Sequence, residues 1–142
     1  MRIFRSLLLI GGLFNFAMGL IFFNDRFLAA FLQLALRAEF TIFSRPGLVF
    51  FPQDPVHRML IHGFGAAALI LGATLIYAYR DPLHYIAFIL FDGVGRILYG
   101  TLMIIYVIRY SLLLVILSFG IFELSLGIAY VTAAVLSARQ RS

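Results

Sequence analysis

Three ionisable residues stand where a chain can least accommodate a lone charge. Asp92 and Arg96 lie inside the third long apolar run of the sequence, and Glu123 lies inside the fourth. On insertion scales an unpaired charge at the centre of a membrane helix costs about 2.5–3.5 kcal/mol, so such groups are expected to pair. Asp92 precedes Arg96 by one helical turn and shares its face, which makes it the assistant of an Arg96–Glu123 pair between neighbouring helices. Asn15, inside the first run, carries both donors and an acceptor and can satisfy whatever positions the ions leave open. His62 falls on the same stripe of the second run, on the side of the long loop that precedes it, and Tyr99 adds a hydroxyl. The set Asn15, His62, Asp92, Arg96, Tyr99 and Glu123 has two readings. It fixes the register of the helices, or it lines a polar cavity that takes a ligand.

Other chemistries find no residues. The chain has no cysteine, which removes disulfides, thiolate metal sites and cysteine nucleophiles. His57 and His62 enter the second run from one end, whereas His84 enters the third from the other, so no pair can hold a haem at one depth. A metal site built from Asp92, Glu123 and His62 would have Arg96 repelling the cation. No nucleophile–base pair or phosphate loop is present, and no metal, cofactor or catalytic group is expected.

The polar residues are framed by a repeat. The first run reads Gly12, Asn15, Gly19; the second Gly65, Ala68, Gly72; the third Gly93, Arg96, Gly100; the fourth Gly120, Glu123, Gly127. Spacings of three, four and seven fall on one face of a helix, and glycine on that face lets another backbone approach closely. All eight glycines are therefore expected at helix contacts, with the fourth-position residue facing inward near mid-span. Ile89 is expected on the opposite, lipid-facing side.

These positions require helices that cross a bilayer. Hydrophobic residues make up 63% of the 142 and charged residues only 12%, against roughly 45–50% and about 25% in ordinary soluble domains. The sequence predicts an all-α fold, an integral membrane four-helix bundle forming one domain over 1–142. Its spans are placed at 6–23, 59–79, 85–108 and 110–138, with Arg109 alone separating the last two. Loop 24–56 joins the first two spans. Asn24 or Asp25 can cap a helix there, and "RFLAAFLQLALRAEF" supplies an apolar stripe of Phe27, Phe31, Leu34 and Ala38. That segment reads as an interfacial helix or a cover over the end of the bundle, and the "LVFF" at 48–51 as part of a re-entrant or capping loop. All eleven basic residues are arginine. Apart from Arg96 they divide five and five between the two sides, but those beside the termini and the link between the second and third spans lie in short segments, which favours cytoplasmic termini. The net charge of +5 sits mostly at span ends, which suits lipid phosphates as partners and not nucleic acid.

In outline the chain resembles the DoxX-like group of small four-helix bacterial membrane proteins: similar size, four spans, a glycine-rich first helix and charged residues inside later helices. Its long first loop departs from the most compact members. The resemblance implies a bacterial plasma-membrane protein that accompanies redox or respiratory complexes. The leading expectation is thus a non-catalytic accessory or assembly subunit of a larger membrane complex, working with other membrane subunits or as a homo-oligomer. The alternative, read from the polar centre, is a carrier or binding protein for a lipid-like or anionic small molecule.

Overall fold

The computed structural model describes residues 2–44 and 52–139. Secondary structure among the described residues consists of five α-helices: α1 Arg2–Phe23, α2 Asp25–Phe43, α3 Pro55–Ala78, α4 Ile86–Tyr110 and α5 Leu114–Arg139. Four of them, α1, α3, α4 and α5, are long and apolar enough to cross a membrane. The "LVFF" segment lies outside the described residues.

The long helices pack as two antiparallel pairs, α1 with α3 and α4 with α5. In each pair the glycines meet glycines. A Cβ built on Gly72 would lie 2.8 Å from the Gly12 carbonyl oxygen, and one on Gly19 2.9 Å from that of Gly65. The second pair repeats the pattern: Gly100 would meet the Gly120 carbonyl oxygen at 2.7 Å, and Gly127 that of Gly93 at 2.7 Å. At these positions the neighbouring backbone occupies the space a side chain would need, so only glycine permits the separation. Because both pairs start and finish at the same end of the molecule, each reproduces the other's course.

The two pairs converge at one end and part at the other. At the end holding the start of α1 and the α3–α4 link, Phe4, Leu8, Leu75, Ala78, Ile89, Leu126, Tyr130 and Ala134 form one buried cluster drawn from all four long helices. Ile89 is fully buried there, contrary to the lipid-facing expectation. Three and four residues separate it from Asp92 and Gly93, which places it on their inward face.

At the opposite end α2 lies across the opening. Asn24 caps it, its side-chain oxygen accepting the backbone N–H of Arg26 at 2.9 Å and of Phe27 at 3.3 Å. The inward face is Leu28, Phe31, Leu32, Ala35 and Glu39, of which Leu28, Ala35 and Glu39 are buried. Phe27 and Leu34 point outward at 56% and 65% exposure, so the true stripe is rotated by about one residue from the sequence expectation. Glu39 explains the rotation. Its carboxylate accepts the Val115 N–H at 3.0 Å, satisfying a free donor at the α5 N-terminus and meeting the positive end of that helix. At the other end of α2, Asp25 accepts from His62 Nε2 at 3.0 Å and lies 3.6 Å from Arg58, both on the first turns of α3. The helix is thereby tied to one member of each pair.

Glu39→Ala should lower the unfolding midpoint in detergent by the equivalent of about 1–2 kcal/mol, as loss of an N-cap does. Glu39→Gln, which keeps an acceptor oxygen but not the charge, should lose roughly half of that. Unchanged midpoints in both variants would show that the contact contributes nothing to stability.

One turn differs from expectation. α4 runs on through Arg109 to Tyr110, and the chain reverses over 111–113, where Ser111 takes a left-handed conformation at φ 50° and caps the helix. A serine in the place usually held by glycine leaves little trace in the sequence. At the start of α3, Asp54 accepts the His57 N–H at 2.9 Å; this bond, with the His57 ring beside it, holds the Asp54 carboxyl below the usual carboxylate value.

Candidate functional site: an ion cluster beneath an apolar cavity

Convergence at one end and separation at the other leave a cavity between the helix pairs. Arg96 sits at the boundary. Its Nε donates to Asp92 Oδ2 at 2.8 Å, its Nη1 to Glu123 Oε2 at 2.6 Å, and its Nη2 to the Gly11 carbonyl oxygen at 3.5 Å. The side chains of Arg96, Asp92 and Glu123 are 5%, 4% and 10% exposed, so these contacts are shielded from solvent. The guanidinium also lies over the ring of Tyr130, 5.4 Å from its centroid, within the range of a cation–π contact. Tyr130 donates its hydroxyl to the Leu7 carbonyl at 3.0 Å. Arg96 on α4 is thus joined to α5 through Glu123 and to α1 through Gly11, and Tyr130 makes a second α5–α1 link.

Above this cluster lie two chambers. One, of about 290 Å³, is lined by α1, α3, α4, α5 and the underside of α2. Its walls are apolar and rich in phenylalanine: Phe14, Phe22, Phe31, Phe64 and Phe119, with Met18 and Met103 between them. The other, of about 280 Å³, occupies the cleft between α3 and α4 and includes Asp92, Gly95 and Arg96 in its lining. Asn15, Phe64, Ala68, Tyr99 and Glu123 line both. Phe64 and Tyr99 face each other across the cleft with ring centroids 5.6 Å apart, and together they partition the two spaces.

The structure therefore brings Asp92, Arg96 and Glu123 together and distributes the other sequence-selected residues around them. Asn15 does not complete the Arg96 shell; the Gly11 carbonyl takes that place, and Asn15 lines the cavity. Tyr99 contributes its ring to the partition. His62 is not in the cluster at all, being bound to Asp25 at the end of the bundle. Among the described residues no group of three metal-ligating side chains comes together.

Three participants escaped the sequence reading. A side chain on Gly11 would overlap the Tyr130 hydroxyl, so adjacent glycines serve two neighbours: Gly12 admits α3 and Gly11 admits α5. The doublet was a visible signal, since successive helical positions point about 100° apart. Tyr130 stands one helical repeat beyond Glu123 and could have been placed on its face by the same spacing. Glu39 carried no local signal, because its partner Val115 is 76 residues away.

No protein-family model, curated protein or solved structure matches this chain. Function is accordingly read from the site itself.

Proposed function

We propose that this is an integral membrane protein that binds a lipid-like molecule between its two helix pairs, with α2 lying at the membrane interface as a cover. The observation that carries the reading is the apolar chamber of about 290 Å³, which reaches Glu123 and adjoins a second space lined by Asp92 and Arg96 of the same buried ion cluster. Ligand sites are concave, mostly apolar and oriented by a few polar groups, with volumes from about 300 Å³ upward. The two chambers adjoin and share Asn15, Tyr99 and Glu123, while Asp92 and Arg96 line only the second, which gives an apolar body one place to lie and a polar end another. The surface supports the membrane setting: Ile3 and Phe91 are each 79% exposed and Ile108 74%, a pattern that lipid tolerates and water does not. Since α3 and α4 line a cleft, a molecule dissolved in the bilayer has a lateral route inward.

An anion is a poor fit. The Arg96 donors already face Asp92, Glu123 and Gly11, so an anion arriving there would meet two carboxylates first. The accessory-subunit reading stands as the alternative; apolar side chains are exposed on every long helix.

Purification in a mild uncharged detergent followed by native mass spectrometry should show a small molecule retained by the wild type. Leu32→Trp on α2 and Ile116→Phe on α5 each add bulk to the chamber wall and should reduce retention at least several-fold while the helical content stays unchanged. Equal retention in both variants and wild type would overturn the assignment of the chamber, and a stoichiometric membrane protein in place of a small molecule would favour the accessory role.

A further inference from the structure

We propose that the occupant carries one positive charge: a lipophilic organic cation, an ammonium head on an apolar body. This rests on the binding reading above and narrows its chemistry. The ion cluster is unbalanced. One guanidinium faces two carboxylates, each bonded to it through a single oxygen, Asp92 Oδ2 and Glu123 Oε2. Among the described residues, no second lysine or arginine lines either chamber. With both carboxylates ionised the cluster holds one negative charge in excess, in surroundings where an uncompensated charge is expensive. A proton on one carboxylate or a monocation in the adjoining space neutralises it, whereas a neutral ligand does neither and an anion enlarges the imbalance.

The lining suits such a head chemically. The Tyr99 and Phe64 rings stand beside Glu123 at the junction of the chambers, and Phe14 lies against Phe119 and Phe122 at 6.2 and 4.7 Å between centroids. Aromatic faces attract organic cations, most effectively where water is excluded. Asn15 offers a carbonyl acceptor at the same level. Charge, aromatic walls and acceptors thus coincide at one point, and the phenylalanine-lined chamber under α2 receives the apolar remainder.

The test uses the full chain in uncharged detergent, with empty micelles as the blank, and equilibrium dialysis of three probes of similar shape. These are benzyltrimethylammonium, its neutral isostere neopentylbenzene, and the anion 4-tert-butylbenzoate. The wild type should bind the cation at least tenfold more tightly than the neutral probe, and the anion least. Glu123→Gln and Asp92→Asn each remove the excess charge while leaving Arg96 one carboxylate, so either should bring the ratio of cation to neutral-probe affinity down to about one. Equal or tighter binding of the neutral probe by the wild type overturns the charge assignment but leaves the binding reading intact. A cation preference that persists in both variants likewise overturns it, since the charge would then come from elsewhere. If no probe binds and no small molecule is retained on purification, the binding reading fails and this inference with it.

Discussion

Arg96→Met is expected to be the most damaging polar substitution in the chain. It strands two buried carboxylates at once, Asp92 and Glu123, which lie 2.8 and 2.6 Å from the guanidinium. Removing one partner from a buried ion pair typically costs about 3–5 kcal/mol, because the other charge is left without compensation. Here the loss should reach at least the upper part of that range, and the protein should fail to accumulate or unfold in mild detergent. Glu123→Leu should cost less. It leaves Arg96 with Asp92 on the same helix, a balanced pair, although it cuts the α4–α5 link. The Arg96→Met/Glu123→Leu double variant still leaves Asp92 alone and should recover only part of the loss. The triple variant Asp92→Leu/Arg96→Met/Glu123→Leu removes every charge and should recover most of it, as apolar replacement of whole buried ionic groups often does. Detergent unfolding midpoints across the series decide the matter. A single Arg96→Met variant as stable as wild type would mean the cluster contributes no net stability, and its retention would then have to be explained by ligand binding alone.

Glycine substitutions should split by sign. A Cβ on Gly72 would lie 2.7 Å from the Phe16 backbone nitrogen and 2.8 Å from the Gly12 carbonyl oxygen. One on Gly100 would lie 2.7 Å from both the Gly120 carbonyl oxygen and the Leu124 nitrogen. These are backbone atoms of a partner helix, which cannot swing aside as a side-chain tip can. Even alanine forces the helices apart, at a cost of about 1–3 kcal/mol or more. Nothing lies within 4 Å of a Cβ at Gly63 or Gly95, and there alanine should stabilise by up to about 1 kcal/mol through its better helix propensity. Thermal midpoints of Gly72→Ala, Gly100→Ala, Gly63→Ala and Gly95→Ala would show the contrast. A stabilising Gly72→Ala or Gly100→Ala would contradict the close approach of the helices.

The two expectations draw on different kinds of information. The glycine repeat was legible because helix periodicity is local: residues three, four and seven apart share a face whatever the helix packs against. The Arg96–Glu123 pairing followed from energetics, since two opposite charges in apolar runs have few alternatives to each other. Asn15 and His62 were placed by the same periodicity, but periodicity gives a face and not a distance. His62 is drawn to Asp25 at the end of the bundle, and the Gly11 carbonyl reached Arg96 where Asn15 was expected.

What the sequence determined by itself is the helical character of the chain, the four long apolar helices, the glycine faces on which they meet, and the presence of charges that must be paired. Each follows from composition or from spacing along one helix. Only the tertiary structure decided which helix meets which. The pairing of α1 with α3 and α4 with α5, their convergence on the Tyr130 side, and the cavity left beneath α2 depend on how two pairs settle against one another. So does the role of Glu39, whose partner on α5 lies 76 residues along the chain. A contact at that separation has no period to reveal it, because it is set by the path of the whole chain and not by the turn of a single helix.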